Sequence, residues 1–143
     1  MEGATFIMTD WAYDIYQMHN KFGVKEWFEN NKHDKELMKT YLRFRLNMCN
    51  EEMGECFDAL DNEDPEEIVD GLIDMCVFAI GTLDVFGVDA NEAWNRIYEA
   101  NMAKSPGVKE GRPNPFGLPD LIKPEGWESP NHEGNHGSLS DLF

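Results

Sequence analysis

The sequence predicts an all-α protein: a four-helix-bundle-like domain over residues 1–104, followed by an irregular Pro/Gly-rich C-terminal arm over 105–143. Three observations carry this. Apolar residues recur at three- and four-residue spacing through most of the first hundred positions. Two aspartates stand as N-caps with a glutamate three residues later. No stretch carries a strand signal, and no internal repeat is present.

The first helix is predicted from Thr9 to Lys21, with Trp11, Ile15, Met18 and Phe22 at helical spacing and Gly23 as its stop. A polar stretch, Asn30 to Asp34, separates it from a long second helix over Asp34–Leu60. There Met38, Leu42, Cys49, Met53, Cys56 and Leu60 are expected to form one apolar stripe facing the core. The third helix begins with Asp64 as N-cap, Pro65 at the first helical position and Glu67 three residues after the cap. It runs through Ile68, Leu72, Cys76 and Ile80 to about Gly87. The fourth repeats the device with Asp89 and Glu92, and Ala93, Ile97 and Met102 line one side.

From Ser105 onward Pro and Gly recur every few residues and helical period is lost. Phe116, Leu118, Leu121, Ile122 and Trp127 are expected to anchor the first half of this arm, and the segment after Pro130 is expected to be loose.

At 143 residues the chain is long enough for a real core, and its net charge is −16. Nucleic-acid binding through a basic surface is excluded by that balance, whereas cations and metal-complexed anions are compatible with it. No apolar run has the length of a membrane span, and Met1 to Met8 lack a signal-peptide pattern. Cys49, Cys56 and Cys76 have neither zinc nor disulfide spacing and read as small core residues in a reducing compartment. No membrane partner and a cytoplasmic location (host cytoplasm if phage-encoded) are therefore expected.

Two acidic clusters carry the chemistry. The second helix bears Glu51, Glu52 and Glu55, and the third bears Glu67, Asp70 and Asp74. Residues three or four apart share a helix face, so Glu52 projects with Glu55 and Glu67 with Asp70, and Asp74 extends the second stripe. Glu52 and Glu55 share a stripe with Tyr41, Arg45, Met48 and Ala59, at the border of the apolar face. Every residue from Met75 to Gly81 is apolar or glycine, so the Asp70–Asp74 stripe points towards a packing partner rather than solvent. Like charges gathered in a partly dry site call for a compensating cation. Mg²⁺ fits, because it takes carboxylate oxygens and keeps waters and substrate phosphates as its remaining ligands. A bland account competes: Glu67 is explained by its capping box, and Glu51, Asp58 and Glu66 by solvation.

Glu51-Glu52-Met53-Gly54-Glu55 followed by Glu67-Ile68-Val69-Asp70 resembles the E-E-x-x-E and E-x-x-D motifs of the all-α nucleotide pyrophosphohydrolases. That family includes MazG-like enzymes, all-α dUTP and dCTP pyrophosphatases and phosphoribosyl-ATP pyrophosphohydrolase. The resemblance covers about Trp11 to Lys104. Met18-His19-Asn20-Lys21-Phe22-Gly23 is similar to the family's first-helix segment, and Asn101-Met102-Ala103-Lys104 to its fourth-helix Asn-x-x-Lys. Lys123-Pro124-Glu125-Gly126-Trp127 is similar to tails of short phage-type members.

The resemblance implies Mg-dependent hydrolysis of a nucleoside triphosphate to monophosphate and pyrophosphate, with Mn²⁺ able to substitute. A deoxynucleoside triphosphate is the preferred substrate, on the short phage-like architecture; the choice between purine and pyrimidine stays open, with a purine such as dGTP as the named candidate. It implies Glu52, Glu55, Glu67 and Asp70 as metal ligands and Glu51 as an outer or second-ion residue. His19, Asn101, Lys104, Asp74 and Arg45 would serve the substrate, and the chain would assemble as a homodimer or a homotetramer built from dimers. Each has a structural competitor: His19 as a satisfied helix residue, Lys104 as a helix-end cation, Arg45 as a partner of Glu52. Trp11, Phe22 and Trp94 could stack on a base, but are read as core.

A diiron bundle would need Glu-x-x-His pairs, and the four predicted helices carry none. An EF-hand fails because the acidic loop Asp61 to Asp64 runs into Pro65. The remaining rival is a non-catalytic acidic helical interaction protein that mimics nucleic-acid charge. It predicts carboxylates spread over an exposed surface.

Overall fold

The computed structural model describes residues 8–111, 114–117 and 119–143. The elements are α1 (Trp11–Lys21), α2 (Val24–Asn31), α3 (Lys35–Asp61), α4 (Pro65–Val85), α5 (Ala90–Met102), β1 (Ser105–Gly107), β2 (Asp120–Ile122) and a terminal 3₁₀ helix (Gly137–Leu142). Among the described residues the fold is all-α apart from one two-stranded ladder. Two compact units form, one of the residues up to Ala90 with His136–Phe143, the other of Asn91–Asn135.

In the first unit the predicted cap Asp64 operates, and Asp10 and Asp34 act in the same way. Asp10, Asp34 and Asp64 each accept a hydrogen bond at the side chain from the amide three residues on: Tyr13, Leu37 and Glu67 at 3.0, 3.0 and 3.1 Å. The Asp64 amide itself donates to Ala59 O at 2.9 Å, so no reciprocal bond from the Glu67 carboxylate is needed at the cap. The capping box therefore does not account for Glu67.

α2 was not anticipated. Gly23, at φ 78°, ends α1 in the left-handed region and starts α2 at once, without a side-chain cap. α2 delivers Phe28 to the core, where it meets Phe86 edge-on at a centroid distance of 5.7 Å. Met38 from the start of α3, Val85 and Phe86 from the end of α4, and Leu142 complete that cluster.

α3 packs along α4, and α1 crosses α4. The stripe α3 turns inward matches the expected one at Met38, which is buried, and at Leu42, Cys49 and Cys56, which are half-buried, but departs from it elsewhere. Met38, Glu52 and Ala59 are its buried residues, whereas Met53 and Leu60 are 43% and 62% exposed. Met38, Glu52 and Ala59 stand 14 and 7 residues apart, on one stripe with the half-buried Arg45 between the first two. A 27-residue helix with apolar side chains on several sides has more than one candidate inner face, and here the close approach of α4 selects it. Trp11, Phe22 and Trp94 are exposed rather than core.

The segment after Pro130 is also not loose at its end. Leu142 is 4% exposed, and the Ser138 amide and hydroxyl both donate to Phe86 O, at 2.7 and 3.0 Å. Burial of Leu142 holds this segment, a contact invisible to local pattern.

The second unit holds α5 and the β1–β2 ladder, in which Ser105, Pro106 and Gly107 face Ile122, Leu121 and Asp120. The expectation of no strand thus fails over two three-residue pieces. Trp127 Nε1 donates to Ala100 O at 2.8 Å, while Phe116 and Leu121 are exposed rather than anchoring; Leu118 lies outside the described residues. Among the described residues no single helix is long and apolar enough to cross a membrane.

Candidate active site

The carboxylates meet where α3 and α4 run together. Glu52 is 9% exposed, and its Oε2 is buried without a hydrogen-bond partner. Burial first, then the charges of Glu55, Asp74 and Asp70, raise its pKa above the ordinary carboxylate range. Glu55, Asp70 and Asp74 therefore all act on Glu52, so the set draws two residues from each helix. Glu55 and Asp70 are exposed and Asp74 half-buried. Glu51 and Glu67 are exposed and lie outside this electrostatic set.

α4 reaches this close to α3 because residue 71 is glycine. A Cβ at Gly71 would lie 2.6 Å from Cys56 Sγ, 3.7 Å from Glu52 O and 3.9 Å from Glu52 Oε2. The Cys56 thiol is half-buried, and burial followed by Glu52 and Glu55 pushes its pKa up, which keeps it protonated and chemically quiet.

A second glycine ten residues along α4, about 15 Å away at the helical rise, makes room for two of the predicted substrate residues. A Cβ at Gly81 would collide with Arg45 Nη2 and lie 3.3 Å from His19 Cε1 and Nε2. His19, 8% exposed, donates from Nδ1 to Asp84 Oδ2 at 2.7 Å, which fixes its ring and ties α1 to α4. Arg45 donates from Nε to Thr82 Oγ1 at 3.1 Å and from Nη2 to Phe78 O at 3.2 Å. These bonds take it to α4 rather than to Glu52. His19 and Arg45 are thus cross-braces between helices, seven or more residues from the carboxylates along α3 and α4.

In the second unit Asn101 is exposed, and Lys104 Nζ stands 5.2 Å from the Trp127 ring centroid. Lys123 Nζ stands at the same distance from that ring, so two cations gather on one indole. Sequence reading missed Gly71, Gly81, Thr82 and Asp84. The available signal was two glycines within a helix otherwise rich in apolar residues, a position where glycine is costly without a packing reason.

The donor chemistry suits a hard cation: carboxylate oxygens, one buried and unpartnered. Among the described residues no three acidic, histidine or cysteine side chains converge closely enough to hold an ion on their own. Mg²⁺ does not require that, since waters and substrate phosphates complete its shell. A cleft of about 660 Å³ lies at the other end of α4, between Phe28, Met38, Asp84 and Leu142, and none of the predicted site residues lines it.

Paired acidic helices around a buried glutamate, on an all-α scaffold, define the class of all-α nucleotide pyrophosphohydrolases, the group related to MazG-like proteins. Residues 15–101 match the family model described as phosphoribosyl-ATP pyrophosphohydrolase. That is more than half of the chain, and the protein belongs to this family. At the level the family defines, it is a hydrolase that cleaves a phosphoanhydride of a nucleotide. No curated protein matches the chain.

Proposed function

We propose that the chain hydrolyses a nucleoside triphosphate to monophosphate and pyrophosphate, with a purine deoxynucleotide such as dGTP as the preferred substrate. The observation that carries this is Glu52: a buried carboxylate whose Oε2 has no hydrogen-bond partner, with Glu55, Asp70 and Asp74 around it. A lone buried anion among three others is unfavourable unless a cation neutralises it. Glu52, Glu55 and Asp70 would offer carboxylate oxygens to Mg²⁺, or to Mn²⁺ in its place, with waters and substrate phosphates supplying the other ligands; Glu67 lies at the outer end of the same stripe and Asp74 one turn further in. Glu51 serves as an outer residue.

When bound, the cation neutralises phosphate charge and acidifies a water. The chain's own residues do the rest. Water attacks the α-phosphorus, the bond from that phosphorus to the bridging oxygen breaks, and pyrophosphate leaves. The water's proton is released to solvent. Lys104 and Asn101 are assigned to the substrate's phosphates by the family resemblance of the Asn-x-x-Lys segment alone. His19 and Arg45 act on the substrate only through the helices they brace.

The exposed stripes Leu46–Met53–Phe57–Leu60 on α3 and Val69–Leu72–Ile73 on α4 support assembly as a homodimer, or as a tetramer built from such dimers. A nucleic-acid charge mimic would carry its acids on an exposed surface; Glu51, Glu55, Glu67 and Asp70 fit that pattern, and the buried Glu52 is what departs from it.

The test is replacement of Glu52 by Gln and of Asp70 by Asn. Both variants should lose metal-dependent pyrophosphate release while keeping wild-type helicity by circular dichroism. Full turnover in either one would remove the ligand assignment.

A further inference from the structure

Gly71 sits between Asp70 and Asp74 on α4, facing Glu52 and Cys56 on α3, at the level where the carboxylates meet. It is buried, and the nearest atom to its absent Cβ is Cys56 Sγ at 2.6 Å, closer than two such atoms can stand. Glu52 O and Glu52 Oε2 follow at 3.7 and 3.9 Å. One point in space therefore touches the thiol, the α3 backbone and the orphaned carboxylate oxygen together.

We propose that Gly71, seated against Cys56, is the positioning residue that sets the α3–α4 separation and thereby aims Glu52 into the carboxylate cluster. This rests on the reading of that cluster as a cation site. Cys56 lies one helical turn after Glu52 on the same face. Its side chain has one torsion, and in a helix one of the three staggered positions runs into the preceding turn. A methyl at 71 therefore leaves two responses: the helices part, or the thiol swings and crowds its own helix beside Glu52. Either one moves Oε2 relative to Asp70 and Asp74. A group that orients a metal ligand without touching the metal commonly changes affinity by about tenfold or more when altered. The helix itself tolerates alanine better than glycine, so Gly71→Ala raises the intrinsic propensity of α4. A loss of cation affinity would then be a matter of spacing.

The experiment measures Mg²⁺ binding to the full chain by titration calorimetry, with pyrophosphate release as a second readout. Gly71→Ala should weaken Mg²⁺ about tenfold, with helicity retained. Adding Cys56→Ala to Gly71→Ala removes the colliding sulfur and should return affinity towards the wild-type value. Cys56→Val in the native Gly71 background presses the same contact from α3 and should weaken Mg²⁺ in the same direction, which keeps the test open if Gly71→Ala does not fold. Wild-type affinity in Gly71→Ala or in Cys56→Val would overturn the proposal, as would a double variant no better than Gly71→Ala. If the wild-type chain itself takes up no Mg²⁺, the cation site and the positioning role fall together. Wild-type uptake with unaffected variants sinks the positioning role alone.

Discussion

Replacing Asp84 by Ala tests whether His19 is held as a brace. The pair is buried, with side chains 10% and 16% exposed, and its Nδ1–Oδ2 distance is 2.7 Å. A hydrogen bond to a charged group contributes about 1.5–3 kcal/mol, and its loss strands a buried imidazole nitrogen. Asp84→Ala should therefore cost about 2–3 kcal/mol in urea unfolding. For a chain of this size each kcal/mol corresponds to about 2–4 °C, which gives a fall in Tm of about 5–10 °C. Asp84→Asn keeps an acceptor at the same place and should lose about half as much, because charge-assisted bonds are about twice as strong as neutral ones. His19→Ala should cost a similar amount to Asp84→Ala, and the double variant should show coupling of about 1.5 kcal/mol. The assay is equilibrium urea unfolding of all four proteins at one concentration. A cost below about 0.5 kcal/mol for Asp84→Ala, the range of ordinary surface changes, would refute the reasoning.

Three further outcomes follow from the same geometry. Glu52 has a folded-state pKa above its ordinary value of 4.5, so the folded protein binds its proton more tightly than the unfolded one. In chelator, stability should then fall as pH rises from about 4.5 through the raised pKa. Glu52→Gln should flatten that part of the profile; an unchanged profile would contradict the crowding described. Leu142→Ala removes a side chain 4% exposed and should cost about 2–5 kcal/mol by denaturant unfolding, whereas a loose tail would show no loss. Lys104→Ala should raise KM for nucleotide while leaving Mg²⁺ affinity near wild type, measured by steady-state kinetics and calorimetry; an equal loss in both would contradict a phosphate-contacting role.

The long helices were legible because their starts carry side-chain signals. Asp34 and Asp64 accept from Leu37 and Glu67 as their spacing requires. α2 was not, since a left-handed Gly23 opens it without any cap. The short ladder was not, because Ser105–Gly107 and Asp120–Ile122 are each too brief to show alternation.

Within the site, Glu52, Glu55, Asp70 and Asp74 stood out by their spacing, whereas Glu67, expected to pair with Asp70, lies outside the set acting on Glu52. Which stripe of α3 faces inward was not readable from spacing, since apolar residues occur on several of its sides and only the approach of α4 at Gly71 decides it. Arg45 was expected beside Glu52, yet Thr82 and Phe78 O offer it partners across the helix pair. Asp84, an unremarked acid near the end of α4, gained a role only through a contact 65 residues away.

The central claim is tested most directly by product analysis on a panel of ribo- and deoxynucleoside triphosphates, with Mg²⁺, with Mn²⁺ and with chelator. The account predicts metal-dependent release of pyrophosphate with monophosphate as co-product, greatest with a purine deoxynucleotide. Release of orthophosphate with diphosphate, or no cleavage of any nucleotide in the presence of metal, would contradict it.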